Sequence, residues 1–551
     1  MKKKYFSQLK NAFKVERRII ILLLLYAVFT AKAQEKEGLN LFTDRDLYVS
    51  GETLLLKVFA SSDEQSGIVN IDLINRKGKK ITGAILEIIN NQADGFIYLP
   101  DSLSSGFYLL STSTRTDKVL TSKELYIANR FTGLPESNSD MRPTGIIPLN
   151  EISSPDLQIV GIEKQYKPRQ KGNATLHLPT ELIAQVDGDV SVSISGVTQE
   201  FKTQQFLQKT EPGVNQSIVK EGIIIEGVVT DLKTAKPFKD AVVYLSIPDS
   251  IPGFQYFITE EDGHFIFQIG KYYGKIPVVI QCFAKEKSSV LKITINDRNH
   301  TKSAMPAFEP RIFTPEFKKS VEKATTAITF RKIFNQKEIT IQPAPIVKRD
   351  AYPYYGIPTK TVDPQLFIDL PNFNEISKEL LPGVKFRNYN RIPTMQVFNA
   401  AQQFFFNDQP LLLLDGIPIR DLNVIKDMGT KDIDKVEICQ NERFYGDLIF
   451  TGVVAIYTTK GDYTRVPESN DLLKLNLEVI QPHVLFNTPS NQRLSDPDLR
   501  QVLLWIPSLK PAPKMELDFQ TSDLLGSFKL VIRGKTKDGS IFYNEQFFEV
   551  N

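Results

Sequence analysis

Short apolar runs constrain the fold of this chain more than any other feature. Runs of Val, Ile, Leu, Phe and Tyr recur at intervals of about ten residues, separated by Gly, Asp, Asn or Pro, which is typical of β-sandwiches. Val190 to Val197 alternates like a strand with one buried face. Helical periodicity is clear only around Asn374 to Leu381, before Pro382-Gly383. The sequence therefore predicts a mainly β protein with several β-sandwich domains.

The N-terminus has the three parts of an export signal. Seven Lys and Arg residues lie within the first 18 positions, and an eleven-residue run, apolar apart from one tyrosine hydroxyl, extends from Ile19 to Phe29. Ala31-Lys32-Ala33 then offers small residues for cleavage. We expect residues 1–33 to be a signal peptide that is cut between Ala33 and Gln34. The alternative, a membrane anchor, would need about 20 apolar residues.

Removal of this signal changes the charge balance. Residues 1–33 hold eight of the 67 Lys and Arg residues and one of the 64 Asp and Glu residues, so the formal charge falls from +3 to −4. The mild basicity therefore belongs to the signal, and nothing indicates a nucleic-acid partner. Roughly 518 residues remain, enough for about three to five domains.

Two segments resemble the macroglobulin-type domains of the α2-macroglobulin family. The first, residues 38–129, opens with LFTDRDLYVSGETLLLKVFA. A linker follows at 130–153, with Pro135, Pro143 and Pro148. The second, residues 155–200, contains LQIVGIEKQYKPRQKGNATLHL and DGDVSVSISGV. It is short for a full sandwich, so neighbouring sequence or strands after the next insert would have to complete it.

Residues 223–296 resemble the carboxypeptidase regulatory-like domain, a transthyretin-like sandwich. The resemblance rests on IEGVVTDLKTAKPFKDAVVYLSI and TEEDGHFIFQIG. Asp262-Gly263, between apolar runs, predicts a β-hairpin turn. The module is the noncatalytic part of its namesake enzymes, so the resemblance implies no chemistry. Residues 301–365 are weakly periodic and rich in Pro towards their end, which predicts an extended connector or an irregular arm over a neighbouring domain.

Residues 366–462 resemble the plug domain of TonB-dependent outer-membrane receptors. The segment that carries the resemblance, residues 404–461, reads FFFNDQPLLLLDGIPIRDLNVIKDMGTKDIDKVEICQNERFYGDLIFTGVVAIYTTKG. Its motif positions are Asp415, Gly416, Tyr445 and Gly446, which we expect to be structural. The 90 residues after Gly461 are too few for a barrel of about eight strands. We expect the plug-like surface to be solvated or matched by another protein.

Residues 471–551 resemble the C-terminal sandwich that accompanies barrel-less plug domains in large envelope proteins. The markers are DPDLRQVLLWIPSL and LDFQTSDLLGSFKLVIRGKTKDGS. The predicted fold class is thus mainly β, with macroglobulin-like and transthyretin-like β-sandwich domains and one small α+β plug-like domain.

Catalytic signatures are missing from the sequence. The four histidines lie in different segments, without the short spacings of zinc ligands (His177, His264, His300 and His483). Cys282 and Cys439 lie in apolar strand patterns, which favours two free, buried thiols over a disulfide, and neither has the Cys-Gly-Glu-Gln context of a macroglobulin thioester. Asp44, Asp46 and Glu52 would suit a Ca²⁺ cluster, but carboxylates near a turn more often form the turn. We therefore expect no catalytic residue, no metal site and no cofactor.

These observations favour a non-enzymatic, exported protein of a Gram-negative envelope. The resemblance implies a binding or accessory module that acts with a protein partner, an outer-membrane barrel or an envelope complex, through its plug-like domain. The alternative is a macroglobulin-like surface adhesion or defence protein without a thioester. We expect no transmembrane span in the mature chain, and a location in the periplasm, at the outer membrane or at the cell surface.

The export signal makes a direct prediction. Intact-mass analysis of protein isolated from envelopes should show a chain that begins at Gln34, as such or cyclised, because cleavage follows the small residues at Ala31 and Ala33. A mass that includes residues 1–33 would instead indicate an uncleaved anchor.

Overall fold

The chain folds into two compact units, each built from separated stretches of sequence. The first unit comprises Met1–Lys220, Thr301–Gln342 and His483–Asn551, and the second comprises Glu221–His300 and Pro343–Pro482. The structure is a computed structural model that describes residues 39–60, 67–114, 119–137, 139–144, 151–154, 156–198, 205–209, 223–249, 251–284, 290–296, 305–334, 336–337, 339–345, 352–389, 392–461, 463–487 and 496–551. It is mainly β, in agreement with the fold class that the sequence predicts.

The first sandwich lies at the start of the first unit. One sheet has three strands, in the order Asn40–Thr43, Thr53–Phe59 and Gln92–Tyr98. The other runs in the order Gln205–Lys209, Val119–Ala128, Gly106–Ser113, Ile68–Asn75 and Lys80–Glu87, with Leu47–Val49 parallel to the second of these. Leu54, Leu56, Ile71 and Leu110 are fully buried between the two sheets.

The second sandwich joins the middle of the chain to its C-terminus. Val190–Gly196 is flanked by two C-terminal strands, Val502–Leu509 and Gly526–Lys535. The same sheet contains Ile541–Val550, Glu151–Ser153 and Gln165–Tyr166, and the facing sheet contains Gln158–Val160, Lys171–His177 and Lys514–Gln520. The prediction of a separate C-terminal sandwich at 471–551 is therefore wrong. The apolar residues of Val190–Gly196 need both flanking strands to complete one core.

Two ion pairs reinforce this closure. The Arg169 guanidinium binds Asp523 through Nε and Nη2, at 2.8 and 2.6 Å. Asp523 also accepts a hydrogen bond from the Asp498 backbone at 2.8 Å, and Asp498 in turn holds Arg500 with two contacts of 2.8 Å. The motif that contains Asp498 and Arg500 therefore serves to tie the C-terminal strands to the 155–200 segment.

Residues 301–365 are not the extended connector that the sequence predicts, because they contain the longest described helix, Pro315–Ile333. Thr314 caps it by accepting a hydrogen bond from the Phe317 backbone, and Pro315 occupies the first turn. Phe317, Val321 and Ile328 lie on one face and pack against the first sandwich. The Lys and Thr residues between these positions obscure the helical spacing of the apolar residues in the sequence. Upstream of the helix, Ala307–Ile312 pairs with Ser139–Thr144 from the predicted 130–153 linker.

The third sandwich belongs to the second unit. One sheet places Ile223–Asp231 between His264–Ile269 and Leu291–Ile295. The other has the order Gly253–Ile258, Val242–Ile247, Lys275–Phe283 and Leu472–Glu478.

Two expectations about the third sandwich are wrong. Strand Leu472–Glu478 was expected in the C-terminal sandwich, but it pairs with Lys275–Phe283 and supplies that sheet with an edge. The Asp262-Gly263 turn is not a hairpin, because the strands on its two sides belong to different sheets. Only Gly263 of this pair has a positive φ, so the type I′ geometry is not present.

A mixed-sheet region completes the second unit. Its five-stranded sheet has the order Lys360–Val362, Ile433–Cys439, Val453–Thr458, Leu411–Leu414 and Ile417–Ile419. Leu411–Leu414 and Val453–Thr458 are parallel, whereas the other pairs are antiparallel. A second sheet is formed by Val384–Tyr389, Ile392–Asn399 and Phe404–Phe405, and a small hairpin by Arg443–Tyr445 and Leu448–Phe450.

The helix of the mixed-sheet region, Phe373–Glu379, begins at Asn372, whose side chain accepts from the Glu375 backbone at 3.0 Å. Phe373 and Ile376 of this helix are fully buried in the region's main core. The remaining helical elements are α-helix Thr180–Gln185 and the 3₁₀ turns Pro364–Leu366, Leu422–Val424, Thr430–Asp432 and Tyr463–Arg465. Within the described part of the chain, no helix combines the length and apolar character that a membrane crossing requires.

Lys57 places an ammonium group inside the first unit. It lies on strand Thr53–Phe59 with no solvent exposure, and its Nζ donates a hydrogen bond to Ser508 Oγ at 2.9 Å. Burial lowers the pKa of Lys57 to about 8. An unfolded lysine keeps its proton up to about pH 10.4. Between these values the unfolded state binds more protons, so the folded first unit gains stability as pH rises.

Replacement of Lys57 tests this pH dependence. We expect Lys57→Met to be at least as stable as the wild type at pH 7.5, and to lack most of the stability that the wild type gains between pH 8 and 10, about 2 kcal/mol, because this window covers only part of the titration at 1.36 kcal/mol per pKa unit. Urea unfolding followed by Trp505 emission measures it, because Trp505 lies on the same strand as Ser508. Lys171→Met, at an exposed strand position, is the control. Parallel pH profiles for the wild type and Lys57→Met would contradict the proposed titration.

Candidate protein-binding surface

The Asp415-Gly416 motif forms a tight turn in the mixed-sheet region. Both residues have positive φ, 49° and 83°, as a type I′ turn between Leu411–Leu414 and Ile417–Ile419 requires. The Asp415 carboxylate accepts hydrogen bonds from the Thr458 backbone at 2.7 Å and from its hydroxyl at 2.8 Å. Asp415 therefore ties this turn to the end of the neighbouring parallel strand.

The Tyr445-Gly446 motif lies at the tip of the small hairpin. Gly446 has a φ of 57° and occupies the first position of a two-residue loop, where glycine is favoured. The Tyr445 hydroxyl donates to the Phe254 carbonyl at 2.8 Å, and the Asp447 backbone donates to the Tyr256 hydroxyl at 2.9 Å. The tip is thus bound to strand Gly253–Ile258 of the third sandwich.

The two motifs meet the same part of the third sandwich. A Cβ atom at Gly416 would overlap Pro252, and one at Gly446 would overlap the Tyr256 hydroxyl, so both glycines permit a close approach. The cores also merge, because Val279 of the third sandwich belongs to the main core of the mixed-sheet region. The expectation that another protein or solvent covers this surface is wrong for this face. The same chain covers it.

Aromatic rings fill the contact between the third sandwich and the mixed-sheet region. Tyr354 stacks on Phe254 with a centroid distance of 4.3 Å and an interplanar angle of 13°. Tyr445 meets both rings edge-on, at 5.4 and 5.5 Å. The central carbon of the Arg420 guanidinium lies 3.4 Å from the centroid of the Phe283 ring, which is a cation–π contact. This packing joins the two parts into one structural block of the second unit.

Tyr354 and its neighbour Tyr355 differ in the hydrogen bonding of their hydroxyl groups. The Tyr355 hydroxyl donates to Glu437 at 2.5 Å and lies 2.8 Å from the Tyr457 hydroxyl. The buried Tyr354 hydroxyl has no hydrogen-bond partner among the described residues. Burial raises the pKa of Tyr354 well above its ordinary value, and raises the pKa of Tyr457 to about 12. These tyrosines stay neutral near pH 7, as suits structural packing.

The outward face of the hairpin is apolar and exposed. Phe444 and Ile449 lie directly opposite each other on its two strands and are 67% and 62% exposed. Their neighbours along the strands, Tyr445 and Phe450, face inwards. Arg443 donates to the backbone carbonyl of Ile357 at 2.7 Å, which ties the hairpin to the preceding segment. We call Phe444 and Ile449 the hairpin patch.

The residues considered for catalysis or metal binding do not converge. His177, His264 and His483 lie on or beside different strands, while His300, Ala33 and Gln34 lie outside the described residues. Among the described residues, no group of three or more His, Cys, Asp and Glu side chains has the arrangement of a metal site. Cys282 and Cys439 are free and buried.

The suggested Ca²⁺ ligands are engaged by cations of the protein itself. Asp44 lies 3.3 Å from Arg45 and accepts from the Tyr48 hydroxyl at 2.6 Å. Glu52 lies 3.2 Å from Arg45 and accepts from the Val49 backbone at 2.7 Å. Asp46 contacts Lys123 Nζ at 2.9 Å. The DRDLYVSGE motif thus builds a buried ion-pair network in the first sandwich.

Sequence reasoning missed the hairpin patch. The sequence FYGDLI does place Gly446-Asp447 between strand-forming apolar residues, which is a hairpin signal. The signal does not tell which face of the hairpin is covered, however, because that depends on the third sandwich, which comes from an earlier part of the chain.

Comparisons with known proteins find similarity in solved structures alone. No family model matches the sequence, and no curated protein matches it. The α-2-macroglobulin of Salmonella after reaction with methylamine has 9% identity, covering 93% of this chain and 39% of its own, with a TM-score of 0.23. Trypsin-activated α-2-macroglobulin from Escherichia coli has 9% identity, coverage of 93% and 41%, and a TM-score of 0.23. The tetra-tandem repeat of a large adhesion protein has 9% identity, coverage of 93% and 99%, and a TM-score of 0.11. The chain spans about two fifths of the length of these macroglobulins, and the comparisons assign it to no family.

Tyr354 and Tyr355 provide a matched test of the aromatic contact. We expect Tyr354→Phe to raise the unfolding free energy of the second unit by about 1 kcal/mol, because it removes a buried hydroxyl that lacks a partner. Tyr355→Phe should lower it by about 1–3 kcal/mol, because Glu437 then loses a donor in a buried site. Differential scanning calorimetry of both variants measures the changes. Equal shifts in the same direction would refute the different roles assigned to the two hydroxyl groups.

Proposed function

We propose that this protein is a non-enzymatic, exported component of a Gram-negative envelope that binds an outer-membrane protein partner through the hairpin patch. The envelope location is supported by the export signal and by the resemblance of residues 366–462 to receptor plug domains. The exposed apolar pair Phe444 and Ile449 is the single observation that carries the proposed binding surface.

The physical argument concerns the two faces of one hairpin. Its inner face is fixed on the third sandwich by Tyr445 and Asp447. The outer face therefore cannot turn inwards to bury Phe444 and Ile449, which remain apolar and exposed on a rigid support. Exposed apolar groups that cluster on a rigid surface mark protein-interaction sites, and a few such residues commonly dominate the binding energy.

A complete interface would extend beyond these two side chains. Stable complexes bury about 1,200–2,000 Å² in total, so the hairpin patch would form the centre and nearby polar residues the rim. Asp447 is exposed at the hairpin tip, close to the patch along the strands. A partner would therefore combine an apolar pocket with a group that complements this negative charge.

The test replaces the apolar pair without breaking the hairpin. Phe444→Thr with Ile449→Thr keeps two residues that favour strands and removes the apolar surface. A photo-activatable amino acid at position 444 should cross-link one outer-membrane protein in native envelopes. That protein, once purified, should bind the double variant at least about tenfold more weakly, equivalent to about 1.4 kcal/mol or more.

The control is Phe131→Thr with Ile312→Thr, which alters two exposed apolar residues of the first unit. This variant should bind the purified partner like the wild type, and both double variants should retain the wild-type melting temperature. If the hairpin variant binds the same partner with unchanged affinity, the proposal fails. A partner that is lost only with the first-unit variant would favour the macroglobulin-like adhesion alternative.

A further inference from the structure

A separate cavity in the first unit opens beside a short strand. Its volume is about 500 Å³, within the range of about 300–1,000 Å³ typical of ligand sites. It is lined by the turn at Gly51-Glu52, by Tyr98, by the C-terminal end of helix Pro315–Ile333 and by all three residues of strand Ile339–Ile341. We call it the strand-edge cavity.

The position of Ile339–Ile341 shows which side of the strand borders the cavity. Side chains of successive strand residues point to opposite faces. Ile339 packs inwards against Trp505, whereas Thr340 and Ile341 are exposed. Side chains on opposite faces of a strand cannot all border one cavity unless the cavity runs along the backbone. Because all three residues of Ile339–Ile341 line the cavity, we infer that the edge of the strand faces the cavity. In the described part of the chain, Val484–Phe486 is the one strand that pairs with Ile339–Ile341, and it occupies the opposite edge.

The register identifies the backbone groups at the open edge. The Gln342 backbone donates to the His483 carbonyl at 2.9 Å, and Thr340 lies opposite Leu485 in the same register. In an antiparallel pair, alternate residues bond the partner strand. The N–H and C=O groups of Gln342 and Thr340 therefore point to Val484–Phe486, while those of Ile339 and Ile341 point to the opposite edge, which borders the cavity. This is the arrangement that accepts an added strand.

The charges around the cavity select among possible strands. Lys332 and Lys337 contribute two positive charges to the lining, whereas the charge of Arg331, which also lines the cavity, is balanced within the buried ion-pair network. Of the described residues that line it, Glu52 alone is acidic, and Glu52 already lies 3.2 Å from Arg45 and 3.9 Å from Arg331. Lys332 and Lys337 lie exposed at the rim, and the half-exposed ring of Tyr98 adds apolar surface. The cavity therefore complements an extended chain that carries negative charge.

We propose that the strand-edge cavity binds an acidic peptide segment of another protein, which adds as a strand to Ile339–Ile341. Main-chain hydrogen bonds to Ile339 and Ile341 provide the affinity, and Lys332 and Lys337 select side chains with carboxylates. This site is independent of the hairpin patch, since it lies in the other unit.

The probe is a fluorescein-labelled peptide of eight residues that alternates valine and glutamate. Fluorescence anisotropy should show saturable binding to the full chain below about 1 mM, the weak limit for a short segment of this kind. A peptide that alternates valine and lysine should bind at least about tenfold more weakly, because it places cations beside the lysines. Absence of saturable binding of the glutamate peptide would overturn the proposal.

Two variants separate strand addition from simple charge attraction. Ile341→Pro removes the N–H group that points into the cavity and leaves the bonds to Val484–Phe486, as proline is tolerated at an open edge. It should weaken binding at least about tenfold, whereas Ile341→Ala, which keeps the N–H, should stay within about threefold. Unchanged Trp505 emission would show that both variants retain the core around Ile339. Equal binding by the two variants would overturn strand addition.

Charge selection has its own comparison. Lys332→Gln with Lys337→Gln should weaken binding of the glutamate peptide by about fivefold at low salt, and the difference should vanish near 1 M salt, where the screening length is about 3 Å. The matched control, Lys171→Gln with Lys529→Gln, alters two lysines of the second sandwich that do not line the cavity. If both pairs of substitutions have the same effect, the peptide responds to overall charge and the assignment of Lys332 and Lys337 is wrong.

Discussion

Strand Val190–Gly196 cannot bury its apolar residues without strands from the far end of the chain. Gly526–Lys535 and Val502–Leu509 lie on its two sides, and the residues between 196 and 502 are accommodated as inserts. The same constraint acts in the third sandwich, where Leu472–Glu478 covers the edge of Lys275–Phe283. Both sandwiches therefore depend on pairings of high sequence separation, whose loop-closure entropy must be offset by the cores that they complete. Truncation of the C-terminal strands should for this reason affect the middle of the chain as well.

Buried charges impose a second constraint on the first unit. Asp44, Arg45, Glu52 and Arg331 are all nearly inaccessible, and their charges cancel. Removal of one member would leave an uncompensated charge in a site where desolvation is expensive. Arg331 comes from helix Pro315–Ile333, so this network also attaches the helix to the turn at Gly51-Glu52. The same attachment forms one wall of the strand-edge cavity, which links the stability of the first sandwich to the shape of that cavity.

The proposed binding surfaces share a physical origin. At the hairpin patch, one face is fixed by hydrogen bonds from Tyr445 and Asp447, and the other face is left apolar. At the strand-edge cavity, one edge of Ile339–Ile341 is paired, and the backbone N–H and C=O groups of the other edge meet no strand in the described part of the chain. In each case the element is held on one side by its own chain, which makes the opposite side both exposed and rigid. Such pre-organisation reduces the ordering cost of binding.

The sequence by itself determined the secondary-structure class, the short helix at Phe373–Glu379 and the turn at Asp415-Gly416, because these follow from local alternation, capping and backbone preferences. Asp262-Gly263 shows the limit of local signals, since the same dipeptide there connects two sheets and lacks the hairpin geometry. Helix Pro315–Ile333 was missed although Thr314-Pro315-Glu316 is a helix start signal. Its apolar face, formed by Phe317, Val321 and Ile328, stands out only once the sandwich that covers this face is known. The tertiary structure alone decided which distant strands pair, that the motif glycines Gly416 and Gly446 face the third sandwich, and that Phe444 and Ile449 stay exposed. Those outcomes depend on which surfaces meet in space. The spacing of apolar residues, every two residues in a strand or every 3.6 in a helix, specifies which face is buried but not which element covers that face.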